Sequence, residues 1–229
     1  MNAVHSVRRR SRLFLTIGAV LALSALAVNA ETIARWRHQV FPKRFGVVEP
    51  GRLYRSGQIA ARLVRGVLKD HKIGMVIDLT DDNPTDPQEK ADKQAELAAI
   101  EELGIERRNH VLLADGTGDV VVYAAAVKSV VDATKLGKPA LVHCAAGTQR
   151  TGGVVALYRL FVQHRSPEEV LEEMESYKYN AKYSPNLLKY LNDNMEVLAL
   201  ELVRNGAIDE IPQNLPRLPD ESLGSDARD

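Results

Sequence analysis

Short apolar runs alternate with helix-patterned segments through most of this chain, and that alternation limits its possible folds more than any other feature. Ile73 to Leu79, Ile105 to Leu113 and Ala140 to His143 are apolar runs of strand length. Helix signals lie between them. Asp86-Pro87-Gln88-Glu89 supplies a capping Asp, Pro in the first turn and a Glu that can bond back to the cap. That helix runs to Leu103 and stops at Gly104. Residues 120–136 form a second helix ending in Leu136-Gly137-Lys138-Pro139, and Thr151 to Gln163 an apolar third. Upstream, Val47-Val48 and Leu53-Tyr54 flank Glu49-Pro50-Gly51, a hairpin signal. Residues 58–70 carry Ile59, Leu63, Val67 and Leu68 at helical spacing. Downstream, Ser166-Pro167-Glu168-Glu169 caps a helix, and Ser184-Pro185 opens a last long one ending near Gly206. The pattern predicts an α/β fold, a central mostly parallel sheet flanked by helices.

The ends differ from this body. Residues 1–12 are basic, with Arg8, Arg9, Arg10 and Arg12, and residues 13–30 are apolar and uncharged. A helix needs roughly 17–25 residues to cross a bilayer, so 13–30 reads as a transmembrane helix. Val28-Asn29-Ala30 equally suits cleavage of a signal peptide. Either reading places the main domain outside the cytoplasm: single-pass and membrane-bound, or secreted or periplasmic after cleavage. Residues 31–44 read as a basic linker, 45–206 as the globular domain, and 207–229, with Pro212, Pro216 and Pro219, as a disordered tail.

Thirty basic and 30 acidic residues give a net charge of +0, which leaves no basic field for a nucleic-acid partner. The chain has 1 cysteine, so neither an internal disulfide nor a cysteine-rich metal site is available. That cysteine sits in a telling place. Cys144 ends the apolar strand, and Arg150 opens the apolar helix beyond it. A strand-loop-helix turn of this kind can wrap backbone N–H groups around an anion, helped by the helix N-terminus. Gly147 permits the unusual backbone angles of such a cradle, and Arg150 can fork onto a phosphate. The same field favours the thiolate of Cys144. Cys144 is then a nucleophile, Ala145, Ala146, Gly147, Thr148 and Gln149 form the loop, Thr151 assists the departing sulfur, and His143 orders the backbone. The cradle and Arg150 offset the phosphate charge, so neither a metal nor another cofactor is expected.

His143-Cys144, Gly147 and Arg150-Thr151-Gly152 match the HCxxGxxRTG signature, and the chain resembles the protein tyrosine and dual-specificity phosphatase superfamily. Phe45-Gly46-Val47-Val48 and Arg52-Leu53-Tyr54-Arg55-Ser56-Gly57-Gln58 resemble the entry segment of its compact dual-specificity-like group from bacteria, fungi and plants. The likeness covers roughly residues 45–180. It implies a phosphoric monoester hydrolase acting on a phosphorylated protein or a small phosphoester. It also implies that an Asp upstream of the cysteine protonates the leaving oxygen.

Asp115 and Asp119 are the candidates for this general acid. Asp119 precedes a helix and reads as a cap, and a capping carboxylate stays ionised, so Asp115 is favoured. Asp78 reads as structural, and Asp81 and Asp82 as solvated loop charges. Arg55, Ser56 and Gln58 either cap a helix or brace the loop. No basic residue lies between Cys144 and Arg150, which argues against a polyphosphorylated substrate, although Arg55, Lys72 or Arg107 can supply charge from elsewhere. A phosphatase acting on lipid or inositol phosphates, a membrane-tethered phosphate-binding module without turnover, and sulfur or arsenate chemistry are the alternatives. No GxSxG elbow, HExxH pair or nucleotide-binding glycine-lysine loop is present.

Overall fold

The computed structural model describes residues 36–219. The basic segment 1–12, the apolar span 13–30 and residues 220–229 of the tail lie outside the described residues. Among those described, no helix is long and apolar enough to cross a membrane. The chain divides into two compact units at Phe41 and Pro42. Residues 36–40 of the first unit are helical.

Among its described residues the second unit carries five strands, β1 (Gly46–Glu49), β2 (Leu53–Gly57), β3 (Met75–Asp78), β4 (Glu106–Asn109) and β5 (Ala140–Cys144). The sheet order is β1-β2-β5-β3-β4. Only the β1–β2 hairpin is antiparallel. Seven helices are described in this unit: α1 (Ala61–Asp70), α2 (Pro87–Leu103), α3 (Val120–Lys135), α4 (Gln149–Phe161), α5 (Pro167–Ser176), α6 (Pro185–Asp193) and α7 (Met195–Arg204).

β5 is central, and its side chains alternate between two cores. Val142 and Cys144 face a large cluster with Tyr123, Val127, Val154 and Leu157. Leu141 faces a smaller one with Val64, Leu68 and Ile100. This two-sided burial explains why Ala140, Leu141 and Val142 are apolar in succession rather than alternating in polarity. Local signals set the ends of α2. Asp86 accepts from the amides of Gln88 and Glu89, and Gly104 takes the left-handed conformation that stops the helix. Ser166 and Glu169 form the predicted capping box at α5.

Three sequence expectations change. The single helix from Ser184 to Gly206 is two, because Asn194 leaves helical geometry and its side-chain amide donates to the Tyr190 carbonyl at 2.8 Å. The tail 207–229 is not disordered over 207–219. Leu218 is fully buried, and its N–H and C=O pair with both ends of the Asn192 amide at 2.9 Å. One large apolar residue and a two-pronged hydrogen bond outweigh the proline-rich composition there. The linker 31–44 likewise ends early, since Pro42 onward belongs to the compact unit. The Lys43 carbonyl accepts the Gly57 N–H at 2.7 Å.

Candidate active site

The segment after β5 is a tight loop that runs straight into α4. In the parallel register Gly57 lies beside Cys144 and Ser56 beside His143, so the end of β2 backs the loop. Close approach of Gly57 and Gly147 requires both glycines. A Cβ on Gly147 would lie 2.4 Å from the Gly57 nitrogen, and one on Gly57 would lie 2.7 Å from the Ala146 oxygen. Gly147 also has φ of 79°, in the left-handed region.

Donors behind the loop take its carbonyls. The Gln58 N–H donates to Ala145 at 3.2 Å, Arg44 Nη1 to Ala146 at 2.8 Å and Arg55 Nη2 to Gly147 at 3.2 Å. A trans peptide points its N–H opposite to its C=O, so these bonds turn the loop amides toward the sulfur side. The Gly147 N–H donates to Cys144 Sγ at 3.1 Å. Arg55 is fully buried, with its guanidinium 3.9 Å from the centre of the Tyr177 ring. Of the two alternatives for this segment, Arg55 and Gln58 therefore brace the loop. Ser56 caps no helix, because it lies buried within β2.

Cys144 is 1% exposed. Burial is the largest single influence on its thiol and pushes the pKa up. The Arg150 charge, hydrogen bonds from the Thr151 hydroxyl and N–H, and the Gly147 N–H together outweigh it, leaving the thiol below its ordinary value. The Thr151 hydroxyl is 3.4 Å from the Ser56 carbonyl, a long contact that competes weakly with the sulfur for its proton. Arg150, in the first turn of α4, is steadied by the Leu79 carbonyl at 3.3 Å. Lys43, half-buried, also couples to Cys144. Burial first, and Arg44 second, lower its ammonium below the ordinary lysine value.

Asp115 and Asp119 lie on the loop between β4 and α3. A Cβ on Gly116 would come within 2.9 Å of Gln149 Cβ, so this loop abuts the first residue of α4. Tyr123 donates to the Gly116 carbonyl, and Tyr190 to that of Gly118 at 2.8 Å. Asp119 caps α3 by accepting the Val121 N–H at 2.7 Å. Asp115 does much the same in a local turn, accepting the Thr117 N–H and hydroxyl and, at 3.2 Å, the Asn186 amide. These bonds, the Thr117 N–H foremost, hold its carboxyl below the usual range. Asp115 is thus tied to its own turn much as Asp119 is tied to the start of α3.

Sequence reasoning missed a buried ionic network beneath the loop. Lys93 and Glu96 of α2 meet Asp78 of β3 and His143 of β5, and all four are buried. Lys93 Nζ donates to Asp78, and to Thr80 Oγ1 at 2.8 Å. Arg107 bonds Asp78 at 2.7 Å and pairs with Asp82, so it is engaged away from the loop. Charge first from His143, then from Lys93, with donated bonds from Lys93 and Arg107, overcomes burial and keeps the Asp78 carboxyl far below its ordinary range. Burial is nonetheless the largest single influence on Asp78. Asp78, Glu96 and His143 present ligand atoms within 4.8 Å of one another, as a metal site would. The Lys93 ammonium already stands among them as the resident cation. One signal was available in the sequence: the core-facing side of α2 carries Asp92, Lys93 and Glu96 where apolar residues are usual.

No curated protein matches the chain significantly. Several solved structures share its fold at low identity. TpbA of P. aeruginosa superposes with a TM-score of 0.55 at 21% identity, over 70% of this chain and 91% of that one. The core catalytic domain of the PP-IP phosphatase SIW14 from S. cerevisiae, in complex with citrate, gives 0.54 at 20%, over 72% and 94%. TpbA in complex with pTyr gives 0.53 at 21%, over 69% and 95%. The family model described as the tyrosine phosphatase family matches residues 41–208, which include every element of the site. The chain belongs to the tyrosine phosphatase family and is a phosphatase.

Proposed function

We propose that the chain hydrolyses phosphomonoesters of the phosphotyrosine and dual-specificity class through a phosphocysteine on Cys144. The observation that carries this reading is the Gly147 N–H aimed at Cys144 Sγ from 3.1 Å, on a loop that also delivers Arg150 and Thr151. In the first step the thiolate forms a bond to phosphorus as the ester P–O bond breaks. Arg150 and the loop amides neutralise charge on the phosphoryl oxygens. Asp115, once its carboxyl is released from Thr117 and Asn186 and protonated, gives its proton to the leaving oxygen. In the second step water attacks phosphorus, its proton returns to Asp115, and the P–S bond breaks. The sulfur leaves as a thiolate stabilised by the Thr151 hydroxyl and Gly147 N–H. His143 supports the loop from behind.

A simple monoester suits the surroundings of the loop. The residues between Cys144 and Arg150 are neutral. The recess beside Ala145 is lined by Asp81 and Glu89, and the lysine there, Lys93, is engaged by Asp78. A second phosphate would meet two carboxylates on that flank. The apolar span 13–30 would tether the domain to a membrane on its extracytoplasmic side, which protease accessibility in intact cells tests.

Hydrolysis of an aryl phosphate by the domain, in chelator, tests the mechanism. Turnover that disappears in Cys144→Ser supports it. Turnover that survives the substitution, or that needs added metal, overturns it. Competition among phosphopeptides, phosphoinositides and inositol pyrophosphates tests the substrate class.

A further inference from the structure

Cys144 is held from two sides, and only one belongs to the phosphate loop. The other begins at His143, which points to the opposite face of β5 from Cys144, toward α2. There His143 Nε2 is 3.1 Å from Glu96 Oε1 and 3.7 Å from Asp78 Oδ1. The Glu96 contact is within hydrogen-bond distance, but neither atom completes a well-aligned bond. The other Glu96 oxygen receives the Gln58 side-chain amide at 3.4 Å, and the Gln58 N–H binds the Ala145 carbonyl. The His143 carbonyl meanwhile accepts the Leu79 N–H at 3.0 Å, and the Leu79 carbonyl steadies Arg150. Glu96 thus touches two residues, His143 and Gln58, that each connect directly to the loop.

We propose that Glu96 is a positioning residue of the active site, orienting the His143 imidazole and the Gln58 side chain and through them the loop that holds the Cys144 thiolate. A buried carboxyl is expensive to desolvate, and ion-pairing with Lys93 is a poor reason for it, because Lys93 lies 3.9 Å from Glu96 and bonds Asp78 instead. The groups facing the carboxyl are Lys93 on its own helix, Asp78 on β3, His143 on β5 and Gln58 after β2. Burial, the largest influence, raises its pKa, and His143 opposes that rise. The geometry places the Glu96 carboxyl between the imidazole and the Gln58 amide, where it limits the movement of both side chains.

The inference rests on Cys144 being the nucleophile. Its test reads the thiol rather than turnover, so the two claims fail separately. The chain has 1 cysteine, and the pH dependence of its alkylation by iodoacetate reports the thiolate without ambiguity. Glu96→Asp withdraws the carboxylate from His143 and keeps its charge near Lys93, whereas Glu96→Gln keeps the reach and the hydrogen bonding. We expect Glu96→Asp to move the alkylation midpoint upward by about 0.5 in pH or more, and Glu96→Gln to restore most of the difference. In a His143→Gln background, Glu96→Asp should add only the smaller part of the shift that runs through Gln58. An unchanged midpoint in Glu96→Asp, or a shift that persists fully without His143, overturns the positioning role.

Discussion

Arg55 and Gly147 meet across the back of the loop that follows β5, where a fully buried guanidinium donates to the Gly147 carbonyl at 3.2 Å while the N–H of the same glycine faces the Cys144 sulfur. One residue thus links the support behind the loop to the chemistry in front of it. Adding a side chain there strikes both. In Gly147→Ala the new methyl would lie 2.4 Å from the Gly57 nitrogen, at a φ that L-residues rarely adopt. We expect a loss of about 2–4 kcal/mol in urea unfolding and a drop in kcat/KM of about 100-fold or more.

The lowered Cys144 thiol sets a pH dependence with a definite sign. Its folded value lies below the ordinary value of 9.0. The group therefore contributes stability that is fully present above the unfolded value and is lost as pH falls through the folded one. Activity dependent on the thiolate falls over the same acid limb. Arg150→Met removes the strongest opposing charge, so the alkylation midpoint should rise toward the ordinary thiol value, and burial can carry it beyond. Iodoacetate kinetics across pH measure this directly.

Lys43 couples to the same thiol. Lys43→Met should raise the alkylation midpoint by less than Arg150→Met does and raise KM for an aryl phosphate several-fold, with a smaller change in kcat. The comparison of kcat with KM separates a charge that acts on the thiol and the substrate from a distance from a role in bond breaking.

Asp115 and Asp119 separate by leaving-group dependence. Asp115→Asn should slow hydrolysis of alkyl phosphates far more than that of p-nitrophenyl phosphate, by roughly 10²–10⁴-fold for the poor leaving group. Asp119→Asn should leave that ratio unchanged and lower stability by about 0.5–2 kcal/mol through a weaker cap. Asn186 donates to Asp115 and helps hold its carboxyl down. Asn186→Ala should therefore move the basic limb of the rate profile upward. The reverse pattern between the two aspartates would make Asp119 the acid.

The C-terminal strap offers a test away from the chemistry. Asn192→Ala removes both hydrogen bonds to Leu218 and should cost about 1–3 kcal/mol by thermal or urea unfolding. The thiol midpoint should not move.

Where a local signal decided the structure, the sequence was readable. Asp86 and Gly104 frame α2, Ser166 and Glu169 box α5, and the run from His143 to Gly152 marks a strand-loop-helix turn without tertiary knowledge. Contacts between distant segments were not readable. Arg44 reads as linker charge, yet it binds Ala146 across the fold. Lys93 and Glu96 resemble surface charges of a helix until β3 and β5 bring Asp78 and His143 beneath them. Leu218 sits in a proline-rich tail, yet its side chain joins the large core cluster and its backbone pairs with Asn192, two helices earlier. For the aspartates, a capping preference was visible for Asp119, but the turn made by Thr117 around Asp115 was not.

The covalent state of the enzyme during turnover tests the phosphocysteine on Cys144 most directly. The full domain would be mixed with an aryl phosphate, quenched within milliseconds and mapped by mass spectrometry. One phosphoryl group is expected on Cys144, discharged by water on a longer chase, retained longer in Thr151→Ala and absent in Cys144→Ser. Label on any other residue, or steady hydrolysis with Cys144 unmodified at every time point, would contradict it.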